Sequence, residues 1–249
     1  DFVRDKIRAI VRDPATAEAL CPTSHPIGTK RICVDIDYYE TYNRPNVTLV
    51  NLKETPIEAI TPTGVTTTDA SYDVDAIVFA TGFDAMTGTL LAIDPKGAGG
   101  RALKDAWAEG PKAYLGLAVA GFPNMFLITG PGSPSVLSNM INSIEQHVEW
   151  IQGCLAYMRE NGLARIEADA ETQEAWVAHV RRVADKTLFP RAASWYMGAN
   201  IPGKPRVFMP YIGSGYRKKC NEVAAAGYEG FSLAQAQGAK ESEDAHAPG

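Results

Sequence analysis

The loop Gly28-Thr29-Lys30-Arg31 combines residue types that could hold negative charge. Two adjacent cations beside a glycine suit a phosphate group or a developing oxyanion. Arg31 offers a planar fork of donors, whereas Lys30 is a point charge. Since arginine stays protonated in proteins, Arg31 could stabilise an anion but could not act as a general base. A charged pair that is simply solvated at the surface is the alternative.

A second segment of interest ends a strand-like run. Residues 72–80 predict a strand, and its continuous apolar part, 76–80, indicates burial on both faces. Gly82 follows at the carboxyl end, where a glycine lets backbone approach a ligand closely. Open α/β sheets bind ligands beyond such strand ends. A plain turn from strand to loop is the alternative.

A third segment joins a predicted buried strand, 125–129, to the glycine turn 130–132 and then to a long helix. The unpaired N–H groups and the dipole of a helix N-terminus favour negative charge. The spacing is not that of a GxGxxG fingerprint, so a helix that is merely capped by a serine is an equal alternative.

A long irregular loop, residues 193–206, carries Trp195 and Tyr196 among glycines and prolines. Such loops are often functional. Lys204 and Arg206 could add contacts to an anion. The alternative is that the aromatic residues only anchor the loop by packing.

These segments must be positioned by regular elements, which the apolar spacing predicts as a mixture of helices and strands. A helix over 2–12 ends at a proline that starts another. A hairpin is predicted over 57–68, an amphipathic helix over 137–158, another over 171–188, and a shorter one near 221–226.

Composition excludes several classes of protein. The net charge of −5 argues against a nucleic-acid partner. No apolar run is long enough to span a bilayer, so no membrane partner is expected. The cysteines number four and lack metal-binding spacing, which predicts reduced thiols in the cytoplasm and no metal site. His147 lies within the long predicted helix, and we expect it to be packed or hydrogen bonded rather than catalytic.

Taken together, these segments resemble the Baeyer–Villiger monooxygenases, and most of all the phenylacetone, acetone and steroid monooxygenase branch. The resemblance extends from near residue 1 to about residue 231. The stretches that carry it are Gly28-Thr29-Lys30-Arg31, DYYETYNRPNV (37–47), DAIVFATGFDAMTG (75–88), YLGLAVAGFPNMFLITGPGSPSVLSNM (114–140), SIEQHVEW (143–150) and SWYMGANIPGKPRVFM (194–209).

The resemblance implies an α/β protein with the two-dinucleotide-binding-domain flavoprotein fold, of which this chain would be the C-terminal part. The family's GxGxxG motifs and its FxGxxxHxxxW fingerprint would lie upstream, because this sequence contains none of them. The implied organisation is the end of a helical insertion (1–27), the C-terminal part of the NADP-binding domain (28–75), the C-terminal part of the FAD-binding domain (76–235) and a disordered tail (236–249).

Roles follow residue by residue from the same resemblance. Arg31 resembles the family's active-site arginine, Lys30 its partner for the NADP phosphate, and Trp195 the mobile-loop tryptophan that closes over the nicotinamide. The residues implied to approach the cofactors are Lys30, Arg31, Thr81, Gly82, Phe83, Gly130, Gly132, Met140 and Trp195, and those implied to shape the substrate pocket are Ser135, Val136 and Leu137.

The implied activity is oxidation of ketones to esters or lactones by an enzyme that uses FAD, NADPH and O₂. The implied partners are the ketone, O₂ and the missing N-terminal part of the same enzyme. The chain alone would lack the first FAD-binding unit, so we expect it to bind FAD poorly and to be inactive. The alternatives are an inactive remnant or interaction module, and a flavin monooxygenase that oxidises nitrogen or sulfur.

Overall fold

The structure is a computed structural model that describes residues 1–235. The tail predicted to be disordered, residues 236–249, lies outside the described residues. The chain forms two compact units, one spanning Asp1–Gly82 and the other beginning at Phe83. The domain limits implied by the resemblance, with a boundary between residues 75 and 76, remain a prediction.

The first unit begins with two short helices that confirm the predicted break. Asp13 caps the second helix by accepting a hydrogen bond from the Thr16 amide, and Pro14 occupies its first turn. A small apolar cluster that includes Ile7, Val11 and Ala17 holds this helical part together. The elements of the unit are α1 (Phe2–Ile10), α2 (Pro14–Leu20), α3 (Tyr38–Thr41), β1 (Ile57–Thr61), β2 (Gly64–Thr67) and β3 (Ser71–Asp73).

Strands β1, β2 and β3 form an antiparallel sheet in chain order. Thr61 pairs with Gly64 at the tip of the first hairpin, and the Thr61 hydroxyl accepts a hydrogen bond from the Gly64 amide at 3.0 Å. A Cβ at Gly64 would lie 1.9 Å from the Tyr72 carbonyl oxygen, so only glycine fits there. The predicted hairpin over 57–68 is therefore confirmed.

The predicted strand over 72–80 is wrong for most of its length. Only its first residues belong to β3, and residues 76–80 form no strand in the structure. The prediction that this run is buried is also wrong, since Val78 is 88% exposed and Phe79 70% exposed. A strand requires a hydrogen-bonding neighbour, and within residues 1–235 this run has none.

The second unit is dominated by helices, as the apolar spacing predicts. The long helix begins at Met140 rather than near 137, because Ser135–Leu137 forms a separate 3₁₀ turn. The pairing of its two strands was not predicted. The elements are α4 (Gly88–Ile93), α5 (Leu103–Ala106), α6 (Met140–Glu160), β4 (Leu163–Ala168), α7 (Ala170–Ala184), α8 (Tyr216–Ala225) and β5 (Phe231–Gln235), and β4 pairs with β5 in antiparallel register.

The predicted strand over 125–129 is likewise absent. Phe126 makes an isolated bridge to Ala118, and the Leu127 amide donates to the Leu117 carbonyl oxygen at 2.8 Å. The run is therefore held by single backbone bonds to the preceding segment, not by a ladder. It still delivers the chain to the glycine turn, because Leu127 is buried in an apolar cluster.

The main core of the second unit lies among α6, α7 and α8. Trp150, Trp176 and Tyr216 are its large buried aromatic residues, one from each helix. Of the helices within residues 1–235, none combines the length and the apolar character needed to cross a membrane.

Candidate cofactor-binding site

The first unit contains a cavity of about 950 Å³, and Lys30 and Arg31 are both part of its wall. The loop that presents them turns at Gly28, where φ is +81°. Thr29 is buried, and its amide and hydroxyl both donate to the Pro26 carbonyl oxygen, at 3.3 and 2.6 Å. The loop thus has a fixed base while its two cationic residues are exposed beside open space.

The wall of this cavity contains the cations Arg4, Lys30 and Arg31 together with the carboxylates of Asp1 and Asp35. Burial lowers the pKa of His25, and the charges of Lys30 and Lys53 lower it further. Tyr38 and Tyr39 also form part of the wall. A cavity with cations and aromatic rings suits an anionic, ring-bearing ligand such as a nucleotide.

The turn at Thr81, Gly82 and Phe83 is open. Gly82 has φ of +80°, which disfavours any side chain, and apart from its chain neighbours no atom of residues 1–235 lies within 4 Å of the position where a Cβ would stand. Phe83 is 90% exposed. The space beside Gly82 could therefore receive a ligand, but the predicted strand before it is absent and the assignment of a ligand to this turn stays a prediction.

The glycine turn of the second unit differs, because its glycines are required by the protein itself. A Cβ at Gly130 would lie 2.6 Å from the Gly116 carbonyl oxygen. Gly132 has φ of +89°, its amide donates to the Met209 carbonyl oxygen at 2.6 Å, and its own carbonyl oxygen accepts from the Trp176 indole at 3.1 Å. The turn is thus built into the core.

The segment expected to shape the substrate pocket is the 3₁₀ turn Ser135–Leu137. Ser135 is buried with φ of +42°, and its hydroxyl donates to the Met86 sulfur at 3.3 Å. Val136 and Leu137 are half-buried and pack against the core cluster. A positive φ is uncommon for a residue other than glycine, so the chain makes a local irregular turn, or bulge, between the glycine turn and α6.

Helix α6 begins directly after this bulge. The Asn139 side chain caps it by accepting from the amides of Ile141 and Asn142, at 3.0 and 3.5 Å. The helix is therefore capped by an asparagine and not by the serine that the alternative interpretation named. Met140, the first helical residue, is 37% exposed and so can contact a ligand.

Trp195 begins a 3₁₀ turn that is capped by Ser194, whose hydroxyl accepts from the Tyr196 amide. Tyr196 is buried, and Trp195 is half-buried against it with ring centroids 4.2 Å apart. Tyr196 therefore fits the anchoring alternative, whereas Trp195 keeps part of its surface available.

The rest of the Trp195 loop is tied to the segment after Gly82. The Lys204 ammonium forms an ion pair with Asp84 and donates to the Ala85 carbonyl oxygen at 3.2 Å. The Asn200 amide donates to the Phe83 carbonyl oxygen at 3.0 Å. Lys204 is thus engaged with protein groups, and the expectation that it contacts a bound anion is not favoured.

The structure brings the predicted residues together in two groups. Lys30 and Arg31 line one cavity of the first unit, while the glycine turn, the bulge and the start of α6 are consecutive in the second. Sequence reasoning missed two supporting contacts. Trp176 bonds to Gly132, which lies 44 positions away in the chain, and Lys204 pairs with Asp84, which lies 120 positions away. No local pattern signals contacts at such separations. Within the described part of the chain, no cluster of side chains could hold a metal ion.

Comparison with known proteins adds specific relatives. Phenazine N-monooxygenase PhzNO1 of Lysobacter antibioticus is 46% identical over 236 residues, which is 94% of this chain and 43% of the relative. Cyclopentanone 1,2-monooxygenase of Comamonas sp. is 45% identical over 238 residues, with the same coverage of 94% and 43%. The chain therefore spans less than half the length of these relatives. No protein-family model matches it.

The solved structures that match this chain also include monooxygenases of about twice its length. Oxidised steroid monooxygenase bound to NADP superposes with a TM-score of 0.86 at 52% identity, covering 94% of this chain and 44% of the other. A further matching structure, of OTEMO, contains both FAD and NADP. The fold is accordingly that of part of a two-dinucleotide-binding-domain flavoprotein, as the resemblance implied.

Proposed function

We propose that the chain belongs to the Baeyer–Villiger monooxygenase family and supplies part of an enzyme that oxidises ketones to esters or lactones with FAD, NADPH and O₂. The observation that carries this proposal is identity above 40% over 94% of the chain. The activity belongs to the longer polypeptide of which the relatives are examples.

The residues present fit these cofactors. Lys30 and Arg31 would hold the phosphates of the nucleotide, since both are cations in the wall of one cavity. FAD would lie in the open space beside Gly82. Met140, which is partly exposed at the start of α6, would contact FAD. When bound, the flavin supplies the oxidative chemistry and NADPH the electrons.

Arg31 would carry the main electrostatic task. A permanently charged guanidinium beside the reacting centre stabilises the negative charge that develops on oxygen during attack on a ketone. Trp195 would cover the nicotinamide, and the bulge Ser135–Leu137 would select the ketone. Each of these roles rests on the family resemblance together with the placement described above.

We also propose that the rest of the longer polypeptide covers the apolar surfaces of this chain. In the first unit, Val78 and Phe79 are exposed in a run with the composition of a buried strand. In the second unit, Val148 and Leu155 of α6 lie beside Ile128 along a groove of about 400 Å³. Exposed apolar surfaces of this kind mark interaction sites.

The proposal is tested with a chimera in which this chain replaces the matching part of cyclopentanone 1,2-monooxygenase. We expect a yellow protein that consumes NADPH and converts cyclopentanone to its lactone, measured by gas chromatography. Arg31→Ala should lower lactone formation about 10²–10³-fold, as for loss of one charge-stabilising donor, while flavin reduction by NADPH persists. Near-normal lactone formation by Arg31→Ala would contradict the role of this arginine.

A matched control separates a charge effect from a general surface effect. Arg44 is an exposed arginine of the same unit that lies outside the cavity wall. Arg44→Ala should leave lactone formation unchanged within about twofold, as expected for surface substitutions. The 249-residue chain by itself is expected to bind FAD poorly, so a stoichiometric flavoprotein from this chain alone would contradict the need for the rest of the enzyme.

Oxidation of a ring nitrogen is the second candidate, because the phenazine N-monooxygenase is 46% identical to the chain. The two reactions differ in the acceptor atom, so the substrate pocket would decide between them. The chimera should therefore be offered cyclopentanone and phenazine side by side. Formation of the N-oxide without lactone would favour the second candidate.

We place the reaction in the cytoplasm, with the ketone and O₂ as small-molecule partners. Support comes from the four cysteines, all of which are free thiols in the structure, as is usual in a reducing compartment. The net charge of −5 does not suit binding to nucleic acid.

A further inference from the structure

His147 of α6 is fully buried, and both nitrogens of its ring are engaged. Nδ1 accepts a hydrogen bond from the Thr129 backbone amide at 2.8 Å. Nε2 lies 2.8 Å from the Tyr216 hydroxyl of α8. The expectation that His147 is packed and hydrogen bonded is confirmed.

The direction of each hydrogen bond follows from the chemistry. A backbone amide can only donate, so Nδ1 carries no proton and the neutral ring must carry it on Nε2. Nε2–H therefore donates to the Tyr216 oxygen. The Tyr216 hydroxyl in turn donates to the Leu115 carbonyl oxygen at 2.6 Å. Every donor in this buried chain of bonds has one acceptor.

The group held by this relay is the residue that opens the glycine turn. Thr129 adopts φ of +53°, an uncommon conformation for a residue other than glycine. The Gly130 carbonyl oxygen accepts from the Ser133 hydroxyl at 2.7 Å, so the next residue is also fixed. Without an acceptor for its amide, Thr129 would leave a polar group unpaired beside the core.

We infer that His147, as the neutral Nε2–H tautomer, is a positioning residue that fixes the Thr129 amide and thereby the Gly130–Gly132 turn through Tyr216 and Leu115. The inference rests on the proposed function where it concerns FAD, because the turn is one of the segments assigned to the flavin. The relay itself consists only of groups within the second unit and does not require a cofactor.

The relay is tested first in the 249-residue chain with ¹⁵N-labelled histidine. Of the histidines, His147 is assigned by its loss in His147→Gln. We expect an unprotonated Nδ1 and a protonated Nε2 that persist from pH 7 to pH 5.5. An Nδ1–H tautomer, or an imidazole that becomes protonated with an ordinary pKa, would overturn the inference.

The consequence for the turn is measured as hydrogen exchange of the Thr129 amide. His147→Phe keeps a ring but removes both polar contacts, so exchange should accelerate about tenfold, equivalent to losing one hydrogen bond to a buried donor. His147→Gln retains an acceptor and a donor and should recover most of the protection. Tyr228→Phe, which removes another buried hydroxyl from the same core cluster, is the matched control and should leave Thr129 unchanged.

The same variants in the chimera test the link to FAD. His147→Phe should weaken FAD binding about tenfold, whereas His147→Gln and Tyr228→Phe should stay within about threefold. Unchanged FAD affinity in His147→Phe would overturn the positioning role even if the tautomer is as expected. If the parent chimera binds no FAD, the proposed function fails, and that failure is distinguishable because the tautomer and the Thr129 exchange are read without the cofactor.

Discussion

The turn at Gly82 and the turn at Gly130–Gly132 have the same sequence pattern, an apolar run followed by glycine, yet their surroundings differ. A Cβ at Gly130 would lie 2.6 Å from the Gly116 carbonyl oxygen, whereas one at Gly82 would have no contact within 4 Å to the described residues beyond its chain neighbours. The run before Gly130 contains the buried Leu127, while the run before Gly82 contains the exposed Val78.

A glycine after an apolar run therefore indicates that another group can lie close to the backbone there, but the pattern does not identify that group as protein or ligand. At Gly130 the approaching group is backbone of the same unit, so the turn is complete as it stands. At Gly82 the positive φ is present but the approaching group is not part of the first unit. A ligand and the remainder of the longer polypeptide are the groups that we propose for that space.

The largest expected effect is a loss of stability at low pH through His147, which holds the Gly130–Gly132 turn. Burial lowers the pKa of His147 to about 4, and the titratable group facing it, Tyr216, stays protonated because burial raises its pKa well above the ordinary value. The unfolded histidine titrates near 6.5, so stability is fully present above that pH and is lost as the pH falls towards 4. The loss is about 3 kcal/mol.

This loss is measured as the free energy of unfolding in urea at pH 7 and pH 4.5. His147→Gln cannot titrate, so its stability should fall less over the same interval, and the difference between the two proteins isolates this side chain from the other acid-sensitive groups. Parallel pH profiles for the two proteins would show that His147 does not hold the turn in its neutral form.

The elements that sequence could predict are those whose periodicity is local. The hairpin over 57–68 and the long helix have their signals within a few residues, and both are present. The runs 76–80 and 125–129 have strand composition, but a strand depends on a neighbour that can lie far away in the chain. The same limit explains why Lys30 and Arg31 could be singled out, whereas Trp176 and Tyr216, which support the glycine turn from distant helices, could not.

The next effect compares the two glycines directly. Gly130→Ala should destabilise the chain by about 2 kcal/mol, because the added carbon overlaps backbone that cannot move away cheaply. Gly82→Ala has open space and should cost about 1 kcal/mol for its positive φ alone. Urea unfolding of both variants measures the difference. Equal costs would mean that the turns are not packed differently.

A smaller effect is expected at the segment after Gly82, which is held by the Lys204–Asp84 ion pair. Lys204→Met removes the tie between the Trp195 loop and the segment after Gly82, so local opening should become roughly fivefold more frequent, as for loss of about 1 kcal/mol. Limited proteolysis within residues 83–87 measures it. Arg206→Met, which makes no ion pair within the described residues, is the control. Identical cleavage rates would show that the tie has no role in holding the segment.

The smallest effect distinguishes two lowered histidine pKa values. Burial alone lowers the pKa of His147, whereas the pKa of His25 is lowered by burial and then by the charges of Lys30 and Lys53. Salt screens charges that are exposed to solvent but does not change burial. Raising the ionic strength should therefore raise the pKa of His25 and leave that of His147 unchanged, as read from ¹⁵N-histidine spectra. Lys30→Met should shift His25 in the same direction as salt, because the cavity would lose one of its cations. If the pKa of His25 responded neither to salt nor to Lys30→Met, Lys30 would add no positive potential at His25. The proposal that the cavity binds a phosphate would then be contradicted.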